Sequence, residues 1–163
     1  MIVDASTIST NRRGSFIVLE GVDRCGKTTQ VARLVQKCLS VGLAATAWRF
    51  PDRTTSTGKL IDQYLTSSNN NNNNNNNNPP LSDQSIHLLF SANRWDAAAA
   101  LQTTLASGTH VICDRYAASG VAFSSAKPGL SIEWCKAPDR GLPAPDAIVF
   151  LDLDPTEAAA RGG

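Results

Sequence analysis

Gly21-Val22-Asp23-Arg24-Cys25-Gly26-Lys27-Thr28 fits the pattern G-x-x-x-x-G-K-[ST], and its setting decides the fold. Before it, Ser15-Phe16-Ile17-Val18-Leu19-Glu20 is a short apolar run that reads as a buried strand. After it, Val31, Leu34, Val35, Cys38 and Leu39 recur at helical spacing, and Gly42 follows as a helix stop. Strand, glycine loop and helix form a phosphate-cradling P-loop. Glycines let the backbone curl so that amide N–H groups point inward at an anion, and the helix N-terminus adds partial positive charge. In such a loop Gly21, Cys25, Gly26, Lys27, Thr28 and Thr29 face nucleotide phosphates. Lys27 meets the β/γ-phosphates and the Thr28 hydroxyl ligates Mg²⁺.

The 163 residues suffice for one domain with a core. Fifteen basic and fourteen acidic residues leave a net charge of +1, so no bulk field argues for nucleic acid or a membrane surface. An anion site must therefore be local. Cys25, Cys38, Cys113 and Cys135 show no C-x-x-C spacing, which points to a reduced, cytoplasmic protein, with nuclear or mitochondrial pools left open. No apolar stretch has the length of a transmembrane helix.

Residues 1–14 are polar and Ser/Thr-rich and read as a frayed tail, leaving 15–163 as the folded domain. Ala44 to Arg49 is a second strand candidate running into Phe50-Pro51-Asp52-Arg53. A loop at that end of a strand is where open α/β sheets bind ligands, although Arg53 alone reads as a solvated arginine. Leu60, Ile61, Tyr64 and Leu65 give a brief helical stripe. Residues 67–80, dominated by unbroken asparagine from Asn69 to Asn78 and closed by Pro79-Pro80, read as a disordered insertion in a surface loop. Ser82 is an N-cap candidate for a long helix reaching Ala106, with Gly108 as its stop.

Within that helix Phe90 and Arg94 stand four apart on one face, with Asn93 beside them. They suit either the stacking and edge recognition of a nucleobase, or a core phenylalanine with an arginine snorkelling to a surface carboxylate. His110-Val111-Ile112-Cys113 is a further strand ending in Asp114-Arg115-Tyr116. Asp114 at the strand tip faces the P-loop and can hold hydrated Mg²⁺. Asp152 and Asp154 compete for that role after the strand Ala147–Leu151. Asp154-Pro155-Thr156-Glu157 has the chemistry of a helix cap, however, which favours Asp114. Ser119–Phe123 and Gly141–Asp146 read as connecting segments. Successive β-α units imply a parallel sheet flanked by helices.

Asp23-Arg24 in the P-loop, Phe50-Pro51-Asp52-Arg53, Phe90–Trp95, Asp114-Arg115-Tyr116, Ser119–Phe123 and Gly141-Leu142-Pro143, in this order and spacing, resemble the thymidylate kinases of the eukaryotic and poxvirus type. The resemblance covers nearly all of 15–161. It implies an α/β fold of the three-layer P-loop NTPase kind, as in nucleoside monophosphate kinases, and transfer of the γ-phosphoryl of ATP to dTMP with Mg²⁺, usually by a homodimer. It implies catalytic roles for Arg24, Lys27 and Asp114, with Arg24 as the in-loop arginine. On the acceptor side it places Asp23 at the sugar 3′-hydroxyl, Phe50 and Phe90 on thymine, and Arg94 in a hydrogen bond to the base. Arg53 and Arg115 then grip the dTMP phosphate, Tyr116 crowds the 2′ position, and Asn93, Ser119 and Gly120 complete the dTMP site. Thr28 and Asp114 are the metal residues.

The family continues past this point with a mobile lid, closing strands and helices. The resemblance therefore implies a C-terminally truncated chain that binds dTMP weakly and turns it over poorly. Two alternatives stand beside it. A deoxynucleoside kinase needs a carboxylate for a 5′-hydroxyl, whereas two arginines suit an acceptor that is already a phosphate. A nucleotide-binding module without turnover is the other. A GTPase lacks support, as no N-K-x-D motif is present.

Overall fold

The computed structural model describes residues 13–69 and 81–161. Residues 1–12 of the expected tail and 70–80 of the expected insertion lie outside them. Strand β1 (Phe16–Gly21) leads into the P-loop and helix α1 (Lys27–Ser40), followed by β2 (Ala45–Arg49), α2 (Ser56–Asn69) and α3 (Asp83–Ala106). Strand β3 (His110–Asp114), α4 (Ala117–Ser125), α5 (Ile132–Lys136), a 3₁₀ turn (Ala137–Asp139), β4 (Ala147–Leu151) and α6 (Pro155–Ala160) complete the chain.

The four strands form one sheet in the order β2-β3-β1-β4, every pairing parallel. Parallel strands carry all their C-terminal ends to one edge, and the register places Leu19 beside Asp114 and Gly21 beside Leu151. Alternation along β1 divides the interior in two. Phe16 and Val18 join Leu101 and Leu105 of α3, Val111 and Cys113 of β3, Phe50 and Tyr116 on one face. Leu19 packs with Val31 of α1 and Ile112 on the other. The result is helix, sheet, helix, as the β-α succession requires.

Local chemistry accounts for most boundaries. The Ser82 hydroxyl accepts from the Ser85 amide and caps α3, and Asp154 accepts from the Thr156 amide at the start of α6. Asp154 is therefore a helix cap. Buried His87 donates from Nε2 to the Cys135 carbonyl and accepts at Nδ1 from Ser124, joining α3 to α4 and α5. All four cysteines are free thiols, and burial pushes the Cys113 thiol far up.

Three expectations need correction. Arg13 and Gly14, read as the end of the frayed tail, belong to the fold: Gly14 is buried, and its amide donates to the Leu105 carbonyl at 2.7 Å. Ser119–Phe123, read as a connection, lies inside helix α4. Helix α2 continues to Asn69, so the backbone at the front of the expected insertion is helical. Helix α5 and the 3₁₀ turn fall between the motifs and were not expected.

The start of β1 is anchored by Asp146, whose carboxylate accepts from the Arg13 guanidinium and from the Phe16 amide at 2.7 Å. First the Arg13 contact and then the Phe16 amide hold its carboxyl below the usual 3.8. A carboxyl with a depressed folded-state pKa stabilises the fold above its unfolded-state value, and that stability is lost as pH falls through the folded value. Asp146→Asn is expected to be less stable than wild type in urea melts at neutral pH, the two curves converging in acid below the carboxylate range. A difference that persists undiminished in acid would show that the charge is not the anchor.

Candidate active site

The P-loop leaves β1 with three residues in left-handed backbone: Arg24 (φ 64°), Gly26 (φ 96°) and, in a related positive-φ conformation, Gly21 (φ 145°). A Cβ at Gly21 would stand 2.6 Å from the Leu151 carbonyl oxygen, so β4 and the loop meet only over a glycine. Gly26 occupies the N-cap position of α1, where its positive φ turns the chain into the helix. Lys27 lies buried at the first helical position. Its ammonium donates to the carbonyls of Gly21 (3.1 Å) and Val22 (2.6 Å) and lies 3.5 Å from the Cys25 sulfur. Thr28 and Thr29 are exposed on the first turn.

Asp114 closes β3 one strand away, buried, and accepts a hydrogen bond from the Thr28 hydroxyl at 2.5 Å. A hydroxyl and a carboxylate in contact are hard oxygen donors. They fit Mg²⁺, which takes one or two protein oxygens and fills its remaining positions with phosphate and water.

The residues expected at dTMP arrive from the P-loop, the loop after β2, helix α3 and the segment from β3 into α4. Arg115, just past β3, has φ 68°, an uncommon conformation for a residue with a side chain. Its amide donates to the Leu19 carbonyl, and its guanidinium donates from Nη1 to Ser119 Oγ at 2.9 Å and from Nη2 to the Asp23 carboxylate. Asp23 of the P-loop and Arg115 are thus brought together. Phe123, one helical turn beyond Ser119 and exposed, has the Arg115 guanidinium 5.4 Å above its ring. Phe123 was not singled out from the sequence, where an aromatic in an apparent connection gives no signal.

Arg53 sits on the loop after the cis Phe50–Pro51 bond and pairs with Asp62 of α2 at the surface. Asn93, expected at dTMP, is wholly buried and holds that loop. Its Oδ1 accepts from the Asp52 amide (2.8 Å), and its Nδ2 donates to the Asp52 carbonyl (2.9 Å) and the Thr55 hydroxyl (2.9 Å). With both ends of its amide engaged, Asn93 positions the loop.

Arg94 is buried against Asp139 of the 3₁₀ turn, the side chains 2 % and 7 % exposed, with Nε and Nη2 both donating to the carboxylate. Ser91 donates to the same carboxylate. A Cβ on Gly120 would stand 2.9 Å from Nη2, so Gly120 is the flat surface against which Arg94 lies. The sequence allowed an arginine reaching a surface carboxylate; Arg94 does meet a carboxylate, but in the interior. Phe90 is half-buried one turn away.

Phe50 and Tyr116 differ from expectation. Their rings pack 5.4 Å apart in the core, and Tyr116, 3 % exposed, also meets Phe16 edge-on at 5.0 Å. Burial pushes its phenol far up, and its hydroxyl has no partner among the described residues. Tyr116 is a packing residue, and its enclosure in the core gives no support to a place beside a sugar. Arg24 is exposed and makes no hydrogen bond or ion pair among the described residues. A groove of about 700 Å³ lies beside β2, lined by Trp48, Arg49, Asp96 and Ala100, and meets these residues only through Phe50 to Arg53.

The thymidylate kinase family model matches residues 19–163. The thymidylate kinase of Danio rerio is 54 % identical over 151 residues, 93 % of this chain and 66 % of that protein. That of Arabidopsis thaliana is 52 % identical over 155 residues, 95 % and 55 % of the respective lengths. The solved thymidylate kinase of Candida albicans superposes with a TM-score of 0.80 at 41 % identity, covering 93 % of this chain and 68 % of that one. The chain thus spans just under two thirds of the first relative and little more than half of the second. Sequence and structure both match over the sheet that carries the P-loop and the carboxylate at its side, and the chain belongs to the thymidylate kinase family.

Proposed function

We propose that the protein transfers the γ-phosphoryl group of ATP to dTMP, giving dTDP. The observation that carries this reading is Arg115 joined to Asp23 at the mouth of the P-loop. A guanidinium fork placed there suits an acceptor that already bears a phosphate, which favours a nucleoside monophosphate over a nucleoside. Lys27 and the amides of Gly26, Thr28 and Thr29 bind the donor phosphates, and the Lys27 ammonium exchanges the carbonyls of Gly21 and Val22 for phosphate oxygens. Thr28 and Asp114 would hold Mg²⁺, which when bound neutralises charge on the β and γ oxygens. Arg115 and Arg53 bind the acceptor phosphate, with Asp23 at the sugar hydroxyl.

Phe90 offers the base a ring at the edge of the interior, and Arg94, fixed by Asp139, presents Nη1 beside Gly120 as the hydrogen-bond donor. Arg24, exposed on the loop, spreads the charge that develops on the transferring phosphoryl. A homodimer and a cytoplasmic location are further parts of the reading and rest on the family resemblance and the free thiols. Among the described residues no helix is long and apolar enough to cross a membrane.

Lys27→Ala is expected to remove dTDP formation from ATP and dTMP while circular dichroism and melting stay close to wild type, since its ammonium contacts only the loop. Retained turnover in the variant would sink the assignment of the donor site. For Arg24→Ala the loss should fall on kcat, by roughly 10³–10⁵ if it acts as arginine fingers do, with little change in the KM for ATP. An unchanged kcat with weakened ATP binding would reassign Arg24 to the ground state.

A further inference from the structure

Glu20 is the last side chain of β1 before the P-loop and is 5 % exposed, the rarest setting for a carboxylate. Burying it costs several kcal/mol unless its oxygens are satisfied. They are satisfied entirely by the start of α4. Oε1 accepts from the amides of Tyr116 (3.0 Å) and Ser119 (3.3 Å), and Oε2 accepts from the Ser119 hydroxyl at 2.5 Å. Tyr116 is the N-cap residue of α4 and has no side-chain cap of its own. Glu20 therefore caps a helix that lies 96 residues away in sequence.

The cap does more than begin a helix. Arg115, with its left-handed backbone, lies between two fixed amides: its own, bonded to the Leu19 carbonyl, and that of Tyr116, bonded to Glu20. Ser119 has one hydroxyl proton, and it is directed to Glu20, which leaves the Ser119 lone pairs turned to Arg115 Nη1. The order is Glu20 carboxylate, Ser119 hydroxyl, Arg115 guanidinium, Asp23 carboxylate. Both ends of this chain stand on the same strand-to-loop segment. We infer that Glu20 is a positioning residue for the acceptor phosphate, acting through Ser119 to fix the Arg115 guanidinium beside the P-loop.

This rests on the reading of Arg115 as an acceptor-phosphate ligand. Glu20→Gln keeps the shape but turns an NH₂ group toward Ser119, whose oxygen then accepts from the glutamine and no longer serves Nη1 fully. The test titrates dTMP and ATP separately into wild type, Glu20→Gln, Ser119→Ala and the double variant by calorimetry. Weakening a charge-assisted contact predicts about a tenfold rise in the dTMP Kd for Glu20→Gln, with the ATP Kd within about twofold of wild type. In the Ser119→Ala background the same substitution should add little, because the route to Arg115 is already cut.

Equal weakening of both ligands, or losses that simply add, would overturn the inference and leave Glu20 a structural cap. Should Glu20→Gln fail to fold by circular dichroism, Ser119→Ala decides: unchanged dTMP affinity there also overturns it. Wild type that binds ATP but not dTMP would overturn the acceptor reading itself, and the wild-type titration alone tells that failure apart.

Discussion

The parallel pairing of β1 with β3, Leu19 opposite Asp114, is the constraint on which the site depends. It sets Asp114 beside the first turn of α1, so that Thr28 reaches it. It lets the Arg115 amide close on the Leu19 carbonyl and brings the start of α4 over Glu20. A slip of one residue would exchange the faces of β1, sending Glu20 to the α1 side and Leu19 to the α3 side. Phe16 and Val18 on one face, with Leu19 and Ile112 on the other, make that slip costly. The register of the chemistry is thus held by the packing of the core.

The fold was legible where local pattern and tertiary role agree. Apolar runs marked β1, β3 and β4, while β2 showed only as a short candidate between a helix stop and Pro51. Ser82 and Asp154 marked helix starts because their caps are made within three residues. The preference for Asp114 over Asp154 has the same origin, since a residue engaged in a local cap is removed from the competition. Helix α4 was illegible for the converse reason. Its capping group comes from β1, Gly120 interrupts its pattern, and no window of sequence contains both Glu20 and Ser119.

The candidate site could be named from motif order, but the packing of its side chains could not. Motif order identified Arg94, Asn93, Tyr116 and Phe50, but a motif does not reveal which side chains turn inward. Asn93 serves the Asp52–Thr55 loop, and Tyr116 with Phe50 forms the core beneath the site. The pairing of Arg94 with Asp139 joins two segments separated by 45 positions, with nothing in their spacing to announce it.

The arginines also differ in what an incoming ligand must displace. Arg53 and Asp62 are 54 % and 46 % exposed, and a surface pair of this kind is worth only about 0–1 kcal/mol, so a phosphate dianion can take Arg53 from its partner. Arg115 is largely enclosed, yet its carboxylate partner Asp23 is 77 % exposed and can turn into water while Arg115 stays on Ser119. Arg94 and Asp139 are both buried, and separating them would strand two charges at a cost of about 3–5 kcal/mol. Arg94 therefore keeps its carboxylate and can meet a ligand only as a rigid, charge-neutralised donor. That state suits an uncharged base edge, whereas the displaceable pairs suit a phosphate. On the proposed reading, the different roles of the three arginines follow from the burial of their partners.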